Sequence, residues 1–172
     1  MTQPNKQILA YAYAVLARRR MTVHEIRQKL HKRFPDFPEE SEEIIKKFLA
    51  LHYLDDAEYI QLFIKNQLLR KPQGIRSIKQ KLQLKGLSKE LIEKNLKACT
   101  DADAPAVNEL ELAKQAATKK LRTLKANSPL QQKQKIFRFL SSRGFNQDTI
   151  FRALKSLKSL NDYSSDLPED LE

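Results

Sequence analysis

Eight cations stand where they suit a polyanion: Arg70, Lys71, Arg76, Lys79, Lys81, Lys85, Arg138 and Arg143. Arg76, Lys79 and Lys81 leave the apolar stripe of Ile75, Ile78 and Leu82, so a helix there turns its charge away from its core side. Lys133, Lys135 and Arg138 stand in the same relation to Ile136, Phe139 and Leu140. Arg70 and Lys71 flank a break at 71–74, and Lys85 and Arg143 each lie one residue before a glycine. Cations on the polar faces of short helices suit the phosphates of nucleic acid or an acidic protein groove. The net charge of +11 agrees with this, and residues 161–172 hold five acids and no base, so the body ahead of them is more basic still. A plain solvated surface is the competing reading of such a charge.

Other chemistry is thin. His24, His31 and His52 have neither zinc-type spacing nor a matching cysteine set. Cys99 is the only cysteine, which excludes an intrachain disulfide and fits a small hydrophobe at a helix end. Asp55 and Asp56 have the types of metal ligands or acid–base groups, but a capping role, Asp55 with Glu58 as a helix capping box, accounts for them and no further carboxylate is suitably spaced. Gly74, Gly86 and Gly144 are isolated, so no glycine loop cradles a phosphate, and no serine nucleophile can be paired with a base. The expectation is a protein that is not an enzyme and needs no cofactor or metal.

The elements that must hold these cations are helices. Only three glycines occur in 172 residues, and Leu, Lys, Gln, Ala and Glu are abundant. Leu82, Gly86, Ile92 and Leu96 are spaced like Leu140, Gly144, Ile150 and Leu154, and Val23, Ile26 and Leu30 repeat Ile75, Ile78 and Leu82. Ile45 and Leu49 complete a fainter first copy, in which residues 34–38 replace the glycine turn. The reading is an all-α fold, an elongated, curved array of three tandem three-helix repeats with about nine helices in helix-turn-helix-like units. The repeats span 1–54, 55–100 and 101–160, with a hinge at 99–105, and 161–172 form an acidic, disordered tail.

Helix ends are marked by Thr22 with Glu25, by Asp55 with Glu58, by Ser88, by Ser128 before Pro129, and by Asn146. The fourth helix is expected to face Tyr59, Phe63, Ile64 and Leu68 inward. Arg18, Arg19 and Arg20 close the first helix either as a charge cap or as a phosphate-contacting cluster. The uncharged run 7–17 is too short to span a bilayer and has no cleavage pattern behind it. A cytoplasmic protein with no membrane partner is expected. Three-helix units with a glycine turn also suit a helix-turn-helix transcription regulator, although neither candidate reading helix is rich in base-reading side chains. A generic nucleic-acid-binding module is the other alternative.

Tyr53-Leu54-Asp55-Asp56, followed by Tyr59, Phe63 and Ile64, then Arg70-Lys71 and the run from Ile75 through Arg76, Ile78, Leu82, Lys85 and Gly86 to Leu87, resembles the RecX family of bacterial recombination regulators. Lys135-Ile136, Phe139-Leu140 and Arg143-Gly144-Phe145 resemble its C-terminal signature. The resemblance runs from about residue 7 to 158. Two departures are the 71–74 break, which keeps one glycine with the proline displaced, and the 34–38 insertion. The resemblance implies tandem three-helix repeats, no catalysis, and a monomer that lies in the groove of the RecA recombinase filament on single-stranded DNA, with duplex DNA as a further partner. There it would inhibit filament extension, ATP hydrolysis, strand exchange and the co-protease role in the SOS response. The eight cations are assigned to recombinase and DNA contact, and Tyr53, Leu54, Asp55, Asp56, Gly86 and Gly144 to architecture.

Overall fold

The computed structural model of the chain describes residues 3–70, 72–100, 108–124 and 128–157, without side chains at 3–4, 68–70 and 99–100. The expectations for Leu68, the Arg70 side chain, Lys71, Cys99, the 99–105 hinge and the 161–172 tail lie outside the described residues. Among the described residues there are nine helices and no strand: α1 (Gln3–Arg18), α2 (Val23–Arg33), α3 (Pro38–Ala50), α4 (Asp56–Arg70), α5 (Ile75–Gln83), α6 (Lys89–Thr100), α7 (Glu109–Leu121), α8 (Pro129–Ser142) and α9 (Gln147–Ser156). The fold is all-α and repetitive, as the spacing predicts.

The chain forms two compact units. Unit 1 comprises Met1–Phe63 and Lys81–Cys99, and unit 2 comprises Ile64–Gln80 and Thr100–Glu172, so α4 and α5 each contribute to both. In unit 1, α1, α2 and α3 pack together over Ile8, Ala12, Ile26, Leu30, Ile45 and Phe48. In unit 2, α7, α8 and α9 close over Ala113, Ala117, Ile136, Leu140, Phe145 and Ile150. Small alanines on α7 let its backbone approach its neighbours, while the larger side chains come from α8 and α9.

Helix starts follow from local chemistry. The Thr22 hydroxyl accepts the Glu25 N–H at 3.1 Å while the Glu25 carboxylate accepts the Thr22 N–H at 3.3 Å, a complete capping box. Asp55 accepts the N–H groups of Ala57 and Glu58 at 2.8 and 2.9 Å, but Glu58 does not return the bond and pairs with Arg20 at 2.6 Å instead. Ser88, Asn108, Ser128 and Asn146 each accept the N–H three residues on.

Helices α5 and α8 end alike. Leu87 N–H reaches back to Leu82 and Phe145 N–H to Leu140, around Gly86 at φ 77° and Gly144 at φ 79°. The end of α3 has the same shape, with Tyr53 N–H on the Phe48 carbonyl at 2.9 Å, but His52 occupies the left-handed position at φ 55°. The structure departs from the sequence reading on two helices, α3 and α4. Phe48, fully buried, fills the core of the first repeat where Leu49 was expected, and Leu49 is exposed. On α4, Ile60 is buried with Ile64, while Tyr59 and Phe63 are half-buried and stack on each other.

Candidate functional site

Unit 1 contains a junction where the first turn of α2 meets the α5–α6 turn and the start of α4. Thr22 bridges it: besides capping α2, its hydroxyl donates to the Lys85 carbonyl at 2.7 Å. The Val23 N–H, one of the first-turn amides that a helix leaves unpaired, is taken by Asp56 Oδ1 at 3.0 Å. Lys85 Nζ reaches Glu25 at 2.9 Å and lies 5.6 Å from the centre of the Tyr59 ring. These contacts set the protonation of the junction. Burial is the largest influence on Glu25 and pushes its carboxyl up, but hydrogen bonds from Lys85, Arg19 and the Thr22 N–H together bring it below the usual value. Burial likewise pushes Lys85 down, and Glu25 and Tyr59 more than reverse it. Asp56 is raised, because burial outweighs the bond from Val23.

Unit 2 repeats this junction at the equivalent residues. Ile75 stands where Val23 does and gives its N–H to Glu109 Oε1 at 2.9 Å; Glu109 opens α7 as Asp56 opens α4. Gly74 stands where Thr22 does and gives its N–H to the Arg143 carbonyl at 3.0 Å. The approach is so close that a Cβ on Gly74 would lie 2.0 Å from the Gly144 oxygen. The Arg143 guanidinium donates to the Pro72 carbonyl at 2.9 Å and covers Phe139 at 4.5 Å.

The cations singled out in the sequence therefore have different surroundings. Lys85 and Arg143 are half-buried and engaged in the junctions. Arg76, Lys81 and Arg138 are exposed, and Lys79 is half-buried. Of the arginines after α1, Arg19 pairs with Glu25 at 3.2 Å and Arg20 with Glu58, so acids of α2 and α4 offset their charge. Asp55 and Asp56 divide two jobs, one capping its own helix and the other α2. Leu54 is buried, whereas Tyr53 is 56% exposed.

In unit 2 a groove of about 550 Å³ opens beside the α8–α9 turn. Arg76 and Gln80 from α5, Ser141 and Ser142 from α8, and Asn146 and Gln147 at the start of α9 line it, with Phe137 and Ile150. No carboxylate is among its described lining residues, so a guanidinium, amides and hydroxyls meet there without an acid–base pair. Such a lining recognises a phosphate or carboxylate by charge-assisted hydrogen bonds. A smaller groove of about 290 Å³ in unit 1 is lined by Arg19, Glu25, Gln28, Lys29 and Lys32. Lys29 and Lys32 were not singled out in the sequence, although their spacing of three residues on α2 was the available signal. Among the described residues no group of three or more His, Cys, Asp or Glu is placed to hold a metal ion. No described helix is long and apolar enough to cross a membrane.

Fold and surface together define an all-α protein of tandem helix-turn-helix-like repeats, with exposed cations, one of which, Arg76, lines a polar groove. Models of the second and third three-helix domains of RecX match residues 55–96 and 108–154. A regulatory protein RecX of Chlorobaculum tepidum is 36% identical over 150 residues, covering 86% of each chain. The crystal structure of a regulatory protein RecX superposes with a TM-score of 0.71 at 27% identity over 84% of this chain and 70% of that one. RecX from Lactobacillus salivarius has the same fold, with a TM-score of 0.77 at 23% identity over 89% of this chain and 96% of that one. The chain belongs to the RecX family of regulatory proteins.

Proposed function

We propose that this chain is a non-enzymatic cytoplasmic regulator of recombination and DNA repair that binds, as a monomer, to the RecA filament on single-stranded DNA. Bound there, it restrains filament extension, ATP hydrolysis, strand exchange and the co-protease activity of the SOS response. Membership of the RecX family carries this reading. The exposed cations support it: Arg76, Lys81 and Arg138 present charge outward, and Arg76 does so at the mouth of a groove lined by hydrogen-bonding side chains. Arg70, Lys71 and Lys79 belong to the same proposed contact set. Lys85 and Arg143 act one step removed, by holding the turns in place. Several weak contacts along a polymer add through effective concentration, so no single deep site is needed.

The test is DNA-dependent ATP hydrolysis by the recombinase, with this protein added well below the recombinase concentration. Progressive loss of activity is expected, relieved by Arg76→Glu combined with Arg138→Glu. Inhibition that sets in only when the DNA itself is saturated would replace the regulator by a plain nucleic-acid-binding module.

A further inference from the structure

Tyr13 and Tyr53 are placed in a way that neither the core nor the junction requires. Tyr53 is 56% exposed and Tyr13 is 38% exposed. Their ring centres are 5.5 Å apart with the planes at 90°, and both rest on the fully buried Phe48 at 5.6 and 4.8 Å. The junction takes its anchors from the neighbouring residues, Leu54 in the core and Asp55 and Asp56 at helix starts, and leaves the Tyr53 ring outside. The backbone that carries the ring is set by the turn. Tyr53 N–H is bonded to the Phe48 carbonyl, and His52 before it is held in the left-handed conformation, which an L side chain adopts only under strain. The turn that ends α3 thus leaves a half-exposed aromatic ring beside a second one.

We infer that Tyr13 and Tyr53 form a stacking platform for the bases of single-stranded nucleic acid on unit 1. The inference rests on the DNA-contacting part of the proposed function and adds the mode of contact. Both rings are partly open to solvent, and an unpaired base stacks on an aromatic face whatever its identity. Lys6 is exposed two turns before Tyr13 on the same side of α1, about 10 Å along the axis. An ammonium group at that remove from an aromatic face suits a strand whose bases and phosphates alternate. A duplex keeps its base faces stacked inside and cannot use the platform. A docked peptide would call for a concave seat, and the two grooves described above are lined by other residues.

The test uses the full chain and an oligothymidylate carrying 5-iododeoxyuridine. Irradiation should cross-link it to Tyr13 and Tyr53, located by peptide mass spectrometry. In titrations by fluorescence anisotropy, Tyr53→Leu and Tyr13→Leu should each weaken single-strand binding about 5- to 100-fold. Tyr53→Phe and Tyr13→Phe should stay within about twofold, because the stacking face survives, and duplex affinity should not change. Leucine variants that bind the single strand like wild type, while Arg76→Glu with Arg138→Glu binds less, would overturn the platform and leave the proposed function standing. Leucine variants that keep DNA affinity but no longer inhibit the recombinase would make the patch a protein-docking surface and overturn it equally. If a leucine variant melts early, the cross-link map of the wild type decides, and adducts confined to other residues would sink the idea. A wild-type chain with no affinity for the oligonucleotide would remove both the platform and the DNA-contacting part of the proposed function.

Discussion

Replacing Asp56 isolates the contact that joins α4 to α2. In Asp56→Ala the Val23 N–H loses its acceptor, and no α2 carbonyl lies ahead of it to replace the bond. Loss of a helix-start acceptor costs about 0.5–2 kcal/mol, typically about 1. Asp56→Asn keeps an oxygen at the same atom and removes a charge that burial already disfavours, since the carboxyl titrates above its usual range. It should therefore cost less than about 0.5 kcal/mol. Urea unfolding followed by circular dichroism measures both, and hydrogen exchange at the Val23 amide localises the effect. Protection there should fall severalfold in the alanine variant alone, given that about 1.4 kcal/mol corresponds to a factor of ten. The pH dependence has a fixed sign. A carboxyl whose folded pKa is raised binds its proton more tightly in the folded state, so Asp56 favours folding increasingly as the pH falls from above that folded pKa toward the unfolded value. Asp56→Asn should accordingly lose ground to wild type on acidification. An alanine variant as stable as wild type, or an asparagine variant as damaged as alanine, would refute the cap.

Glu109→Ala, which frees the Ile75 N–H, should cost about the same 1 kcal/mol in urea unfolding, and a neutral result would break the equivalence of the junctions. Gly144→Ala should lower stability by more than about 2 kcal/mol, because φ is 79° and a Cβ would stand 2.6 Å from the Ser77 nitrogen; a change below about 1 kcal/mol in thermal melting would show that the turn yields. Glu25 titrates below its usual value, so its contribution is present at neutral pH and is lost as the pH falls through the lowered folded pKa. The wild-type urea midpoint should drop there, and the Glu25→Gln midpoint should be lower at pH 7 but change less; parallel profiles would deny the pair a role.

What the sequence conveyed was local. Capping residues act over three positions, so Thr22, Asp55, Ser88, Ser128 and Asn146 could be assigned from spacing alone, and each accepts the expected N–H. Core positions were legible where the repeats agree: Ile26, Ile78 and Ile136 are all fully buried, as are Leu30, Leu82 and Leu140. They failed where one residue of phase decides. The position three after Ile45, Ile92 and Ile150 is buried in every repeat, but it is filled by Phe48, Asn95 and Ala153, whose chemistry gives no common signal. Asn95 is tolerated there because it donates to the Leu91 carbonyl and accepts from Gln61. Lys85 and Arg143 read as surface charge because their partners lie about sixty to seventy residues away, beyond any local pattern.

The two junctions explain why the residues beside the turn glycines need not match. The shared contact is made by a backbone carbonyl, that of Lys85 in unit 1 and of Arg143 in unit 2, so the side chain above it is free to seek its own partner. In unit 1 the first turn of α2 offers Glu25, and a lysine reaches it. In unit 2 the equivalent position is Ser77, which has no charge to give, and the cation turns instead to the Pro72 carbonyl and the Phe139 face. An arginine suits that second arrangement, because a planar guanidinium can donate and cover an aromatic ring at once, whereas an ammonium is a point charge. The acidic pair of the tyrosine-leucine-aspartate-aspartate motif follows the same rule. Its first member serves the helix that it begins, and its second serves the helix start of the preceding repeat. The equivalent residues Asn108 and Glu109 divide the work in the same way.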